Sequence, residues 1–299
     1  MVMAAEKIAG TSRSVTFLHC RLSLRCFRSH LHNEKPSKEQ AVAVQIRDLA
    51  ALPAWVILLI SPFIGSFLGL LAARMPRNEG VIFGRSHCDR CGHALHAADE
   101  IPFVSWLWFR GRCRYCGASI GYFPLVMEAA ALAVVTWAAS ETSGWILAAS
   151  CLLGWWLLLL AAIDWRNFLL PDALTLPLGI AGLAVTYTID PSGLADHLIG
   201  ALCGFLVFAA VGFVYSRIRG REGLGLGDAK LMGALGAWLS WQGLPSALLF
   251  AAMAGLVFVL GRSLVRRPLA LGDPIPFGSF LALGGWLVWL YGPLLLQVA

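Results

Sequence analysis

The chain has 299 residues, of which 58% are hydrophobic and only 13% charged, and its formal net charge is +6. Soluble globular domains carry roughly 25% charged residues, so this composition excludes an ordinary soluble enzyme or binding module and indicates a polytopic membrane protein. The basic excess does not indicate nucleic acid either, because the cations are confined to particular loops.

Taken in chain order, residues 1–48 differ from everything that follows. They are polar, hold eight Lys or Arg, and lack both the apolar core and the cleavage pattern of a secretory signal. They are expected to be a disordered extension or to reflect a start codon assigned too early. No function attaches to Cys20, Cys26, His19, His30 or His32.

Residues 49–73 form the first expected transmembrane span. A helix needs about 20 apolar residues to cross the hydrocarbon layer. Further uncharged stretches supply that length at 115–127 (continuing past Glu128 to 140), 142–163, 173–189, 198–216, 231–261 and 274–299. The 231–261 run is too long for one span, and Ser240-Trp241-Gln242-Gly243-Leu244-Pro245 reads as a turn within it. The expected fold is therefore all-α, a polytopic transmembrane helical bundle of about eight spans with a small cytoplasmic zinc-binding loop module.

Charge placement sets the topology. Beyond residue 73 there are fifteen Lys and Arg: seven in 74–124, Arg166 alone in 164–172, four in 217–230 and three in 262–276. The connections around 141–143, 190–196 and 240–245 contain none. Loops alternate between basic and non-basic, which is the positive-inside pattern and places the four basic segments in the cytoplasm. Most of these arginines need do no more than fix topology and meet anionic headgroups.

The first basic loop, 74–124, contains Cys88-Asp89-Arg90-Cys91-Gly92 and Cys113-Arg114-Tyr115-Cys116-Gly117. Two Cys-x-x-Cys pairs separated by 21 residues are a strong metal signal. Four thiolates satisfy a tetrahedral Zn²⁺ and leave no open position, so the predicted site (Cys88, Cys91, Cys113, Cys116) is structural. The glycine after each second cysteine suits the tight turn of a knuckle. Disulfides are the competing account and would not persist in a reducing cytoplasm. His87, His93 and His96 are nearby alternative ligands, and Cys151 and Cys203, within apolar spans, read as packing residues. A module of this size often needs such a staple.

Two acids stand out from the apolar background. Asp164 ends an uncharged run in Ala161-Ala162-Ile163-Asp164-Trp165-Arg166, and Asp228 follows alternate glycines in Gly223-Leu224-Gly225-Leu226-Gly227-Asp228. An ionised carboxylate inside a bilayer costs a few kcal/mol or more, so each requires a reason. Other acids are explained locally: Asp172 as the cap of a helix beginning near Leu174, Asp190 and Asp196 in an outer connection, and Asp273 in a turn before Pro274. The helix from Gly227 to Leu239 is about 20 Å long at 1.5 Å per residue, short of the roughly 30 Å core. Asp228 is thus expected slightly within the membrane, in a water-lined notch.

Glycines at 225 and 227 let a substrate backbone approach closely; their structural alternative is close helix packing. A nucleotide-binding loop is excluded because no strand precedes the glycines and the dinucleotide spacing is absent. Lys230, two residues from Asp228, points to another helix face and is given no catalytic role. If Asp164 and Asp228 meet, they share a proton and titrate as a pair. The ionised member can then activate water while its protonated partner polarises a peptide carbonyl, which is aspartyl protease chemistry.

At these residues the chain resembles the type 4 prepilin leader peptidases, bifunctional membrane enzymes of the GxGD aspartyl protease class. The resemblance spans about 53–285 and rests on several motifs in order. These are Gly65-Ser66-Phe67-Leu68, Arg85-Ser86-His87-Cys88, Ile101-Pro102, Ser105-Trp106 and Arg110-Gly111-Arg112-Cys113. Further on come Ile163-Asp164, Leu170-Pro171-Asp172-Ala173-Leu174-Thr175-Leu176-Pro177, Gly225-Leu226-Gly227-Asp228-Ala229-Lys230-Leu231 and Ile275-Pro276-Phe277-Gly278.

The resemblance implies cleavage of type IV prepilins or type II secretion pseudopilins after the leader glycine, with Asp164 and Asp228 as the catalytic pair. It further implies N-methylation of the new terminus, usually phenylalanine, with S-adenosylmethionine as donor. The implied setting is a bacterial inner membrane, with the site facing the cytoplasm. On this reading residues 74–124 are the zinc module and 125–299 the transmembrane peptidase core.

Two departures accompany it. Pro124-Leu125-Val126-Met127-Glu128 places glutamate four residues after proline, where the family usually has it three after, a rotation of about 100° on a helix. Ser279 stands where the family often has proline, a change expected to be minor. A proton-coupled carrier using the intramembrane aspartates is the leading alternative, and an inactive scaffold that docks a secretion apparatus is a third.

Overall fold

The computed structural model describes residues 53–77, 87–88, 90–220, 224–264 and 274–294. The expectations for 1–48, and those on Gly223 and Asp273, lie outside the described residues.

Eight helices follow one another among the described residues: α1 (Ala54–Arg74), the short α2 (Val104–Trp108), α3 (Phe123–Glu141), α4 (Gly144–Asn167), α5 (Asp172–Ile189), α6 (Leu194–Arg219), α7 (Leu226–Leu264) and α8 (Phe277–Tyr291). Six of these are long and apolar enough to cross a membrane; α8 is a shorter apolar helix.

The long α7 is two helices merged across a kink at Ser240, where φ is 59° and ψ is 176°. A serine resists that conformation, which is ordinarily left to glycine. The break falls at the first residue of the expected turn, and Pro245 follows within the opening turns of the second half. As the fifth residue of that half, it leaves one intrahelical hydrogen bond, to the Trp241 carbonyl, unmade. Counting the two halves of α7 separately and adding α8 gives eight apolar helical segments among the described residues, where the sequence suggested about eight spans; six helices have the length and apolarity to cross a membrane.

The helices pack through small residues. A Cβ on Gly236 of α7 would stand 2.2 Å from the Gly200 carbonyl oxygen of α6, and one on Gly204 would stand 2.8 Å from the Met232 oxygen. Gly200 and Gly204 thus form a small-xxx-small stripe that lets two backbones touch, the usual route to close packing where lipid supplies no hydrophobic drive. In α8, Gly284 lies against the Ala247 oxygen and Gly285 against the Leu235 side chain. In α1, Gly65 meets the Met127 oxygen and the Glu128 Cα of α3. Trp238, Leu231, Leu235 and Leu281 are fully buried where α7 meets its neighbours.

The loop between α1 and α3 is a separate small unit of two knuckles. In the first, Cys88 N–H donates to the His93 carbonyl and Gly92 N–H to the Cys88 carbonyl; in the second, Cys113 N–H donates to Ala118 and Gly117 N–H to Cys113. Each closes with an isolated bridge, His87 with Ala94 and Arg112 with Ser119. Gly92 and Gly117 take φ of 68° and 70°, as the knuckle turn requires.

The module is tied to the bundle by Glu128, whose buried carboxylate accepts from Phe103 N–H at 2.7 Å. Within the module, Trp106 donates from Nε1 to the Gly121 carbonyl at 2.8 Å, just before α3 begins.

Candidate active site and metal centre

Asp164 lies three residues before the end of α4, and Asp228 is the third residue of α7. Helix α4 stops because Phe168 turns left-handed, at φ 54°, and donates its N–H back to the Asp164 carbonyl. The chain then reverses within four residues, so that Leu170 reaches under the start of α7. A Cβ on Gly227 would fall 2.9 Å from Leu170 Cβ, and one on Gly278 would fall 2.8 Å from Leu170 Cδ1. Leu170 is therefore wedged between the glycines that open α7 and α8.

The two carboxylates converge at Gly278. A Cβ there would stand 3.1 Å from Asp164 Oδ2 and 3.1 Å from Asp228 Oδ1, so those oxygens are at most twice that distance apart. Asp164 is buried and Asp228 half-buried, which leaves the pair open on the Asp228 side. Asp164 Oδ2 accepts from both Ser279 N–H at 2.7 Å and Ser279 Oγ at 2.9 Å. The Ser279 hydroxyl also lies 3.0 Å from the Ala161 carbonyl, which gives it an acceptor on the same helix as Asp164.

The arrangement brings the two predicted aspartates together and separates the roles of the two glycines. Gly227 is needed for packing against Leu170, which is its structural alternative. A Cβ on Gly225 meets nothing closer than Asp228 Oδ2 at 3.7 Å; its carbonyl instead accepts the Asp228 N–H that opens α7.

Asp172 differs from expectation. It is the first residue of α5, whose cap is Pro171 with no side-chain hydrogen bond, and its carboxylate pairs with Lys230 at 2.5 Å. Lys230 is thus engaged by Asp172, and this pair ties the beginning of α7 to the beginning of α5.

Sequence reasoning passed over Gly278 and Leu170 as site residues and read Ser279 as a minor departure. The available signal was their place in Leu170-Pro171-Asp172 and Pro276-Phe277-Gly278, where Leu170 and Gly278 themselves carry no polar group. Glu128 gives its carboxylate to the Phe103 N–H.

In the loop module, the ligand atoms of Cys88, Cys91, Cys113 and Cys116 all lie within 4.8 Å of one another, and Cys88 Sγ is 3.8 Å from Cys116 Sγ. All four are free thiols, as are Cys151 and Cys203. Four sulfurs about 2.3 Å from a central zinc form a tetrahedron with edges of about 3.8 Å, whereas a disulfide is about 2.0 Å long. The donor set therefore fits a tetrahedral metal ion.

The N–H groups of Cys91 and Arg90 draw the Cys88 thiol down to about 7. Although the Ala118 N–H favours the Cys116 thiolate, burial and the neighbouring thiols raise Cys116 to about 11. Four crowded thiols oppose each other's ionisation, and a cation at their centre removes that opposition. His93 is occupied differently, its ring centroid 3.7 Å from that of Tyr115.

Comparison with known proteins finds two family matches along the chain. The Type IV leader peptidase family matches residues 151–260, and the Bacterial Peptidase A24 N-terminal domain matches residues 59–142. A protein of Aeromonas salmonicida named prepilin leader peptidase/N-methyltransferase is 39% identical over 263 residues, covering 79% of this chain and 90% of the relative. Proteins of the same name from Burkholderia pseudomallei and Pseudomonas aeruginosa are 42% identical over 213 residues and 36% identical over 262. The first covers 71% of this chain and 68% of the relative, the second 79% and 89%. No solved structure matches.

Proposed function

The chain belongs to the type IV leader peptidase family, and from that premise we propose that it removes the leader from type IV prepilins or pseudopilins and methylates the new N-terminus. The observation that carries the peptidase half is the convergence of Asp164 and Asp228 on Gly278. One carboxylate takes a proton from water as its oxygen bonds to the scissile carbonyl carbon. The other, protonated, hydrogen-bonds the carbonyl oxygen. Collapse of the tetrahedral intermediate breaks the C–N bond, and the proton passes to the leaving amine.

Ser279 positions Asp164 for this work, and Gly225 leaves room for a substrate backbone beside Asp228. Residues 125–299 form the peptidase core on this reading. A prepilin, with a charged leader outside the bilayer and an apolar helix within it, suits a site at the membrane edge. The positive-inside distribution of arginines supports a site at the cytoplasmic edge, and the family resemblance supports a bacterial inner membrane as its setting.

The methyl donor is S-adenosylmethionine, a second substrate whose sulfonium gives its methyl to the freed amine while the electron pair stays on sulfur. The metal proposed for the 74–124 module is zinc, which four thiolates in tetrahedral reach suit while leaving no position for a reactant. Its contribution is to hold the two knuckles together.

Nothing in the comparisons supports the carrier alternative. The test is incubation of the purified protein with a prepilin and labelled S-adenosylmethionine, followed by mass analysis of the product's N-terminus. A shortened, methylated product supports both activities, a shortened unmethylated one the peptidase alone, and an intact substrate neither.

A further inference from the structure

Helix α2 presents three apolar side chains on one face, at i, i+3 and i+4: Val104, Leu107 and Trp108, which are 56%, 63% and 79% exposed. So much exposed apolar surface on one turn of helix marks a contact with something. Its position says with what.

The N-cap of α2 is Phe103, and its N–H is held by Glu128 Oε2 at 2.7 Å. Glu128 lies five residues into α3, about 7.5 Å along its axis, and its side chain leans back toward the helix start. With 19 residues, α3 is about 28 Å long, close to the thickness of the hydrocarbon layer. The start of α2 therefore stands at the boundary between acyl chains and headgroups.

The other side of the same helix is taken up by protein. Trp106 packs over Gly111, donates to the Gly121 carbonyl and lies 5.3 Å from the Tyr122 ring at the entry of α3. Tyr122 itself is 71% exposed, an amphipathic ring at the depth where aromatic belts form. Arg110 and Arg112 follow α2 directly and are exposed.

We propose that the loop module rests on the bilayer through Val104, Leu107 and Trp108, with Arg110 and Arg112 against anionic headgroups. The three apolar side chains suit the acyl boundary, and the two cations complement the charge of acidic lipid. The bond from Phe103 to Glu128 sets the height of the contact. This placement rests on the membrane-spanning reading of α3 and not on the peptidase reading.

The experiment uses the full-length protein in vesicles of phosphatidylcholine and phosphatidylglycerol whose acyl chains carry bromine near the carbonyl. Subtracting the emission of the Trp108→Phe variant from that of the parent isolates Trp108 among the other tryptophans. The expected result is that shallow bromine removes most of the Trp108 component, and more of it than in brominated vesicles of phosphatidylcholine alone.

Absence of quenching by bromolipid overturns the proposal. Aqueous iodide then tells whether water or another protein surface covers the face. Equal quenching in the two lipid mixtures overturns the part given to Arg110 and Arg112. Prepilin cleavage, measured on the same vesicles, reports separately on the proposed activity.

Discussion

Ser279 donates both its backbone N–H and its hydroxyl to a single oxygen of Asp164, at 2.7 and 2.9 Å. Two donors from one residue fix the rotation of that carboxylate, and the oxygen they hold is the one that faces Gly278. Ser279→Ala keeps the N–H and removes the hydroxyl, at a cost of about one hydrogen bond to a charged group, roughly 1.5 kcal/mol. The expected outcome is a fall of about tenfold in the rate of prepilin cleavage by purified protein, with binding of the prepilin little changed.

Asp164→Asn and Asp228→Asn each remove a carboxylate that must gain or lose a proton in the proposed cycle. Each is expected to abolish cleavage while leaving the helical circular dichroism of the protein in place. Full cleavage by either variant would remove that residue from the mechanism.

Gly278→Ala places a methyl group 3.1 Å from an oxygen of each aspartate and 2.8 Å from Leu170 Cδ1. Leu170 is itself held against Gly227, so the strain falls on the pair. A loss of cleavage of about a hundredfold is expected, with a destabilisation of roughly 1–3 kcal/mol from overpacking, read as a lowered midpoint of thermal unfolding in detergent.

Cys113 is the buried member of the four-thiol cluster. Elemental analysis of the purified protein is expected to find one zinc per chain, and Cys113→Ser to lower that content. Without the ion the two knuckles have little apolar core to hold them, so limited proteolysis should begin within 74–124 on chelation. Active protein free of zinc would end this assignment.

Gly236→Ala tests the packing of α6 on α7 away from the site. Its Cβ would stand 2.2 Å from the Gly200 carbonyl oxygen, a backbone atom that cannot turn aside. The helices must separate, and a stability loss of at least 1–3 kcal/mol is expected. Unfolding by detergent titration measures it.

Much of this protein is legible as sequence because the signals are local. Membrane class follows from uncharged runs of span length, and the metal ligands from cysteines three residues apart within each pair. The break at Ser240 follows from a Ser-Trp-Gln-Gly-Leu-Pro interruption in a run too long for one crossing. Asp164 and Asp228 are visible because a charge in an apolar background is expensive wherever it lies.

Tertiary structure alone decided what meets. Ser279 lies 115 residues from Asp164 and Lys230 lies 58 from Asp172. No periodicity couples such positions, since a helix repeats over about 3.6 residues and carries no record of its neighbours. The same holds for Gly278, whose missing methyl makes room for two carboxylates, and for Glu128, whose carboxylate anchors a loop. A contact between distant segments is a property of how helices pack, and packing is settled by the shapes of all the surfaces together.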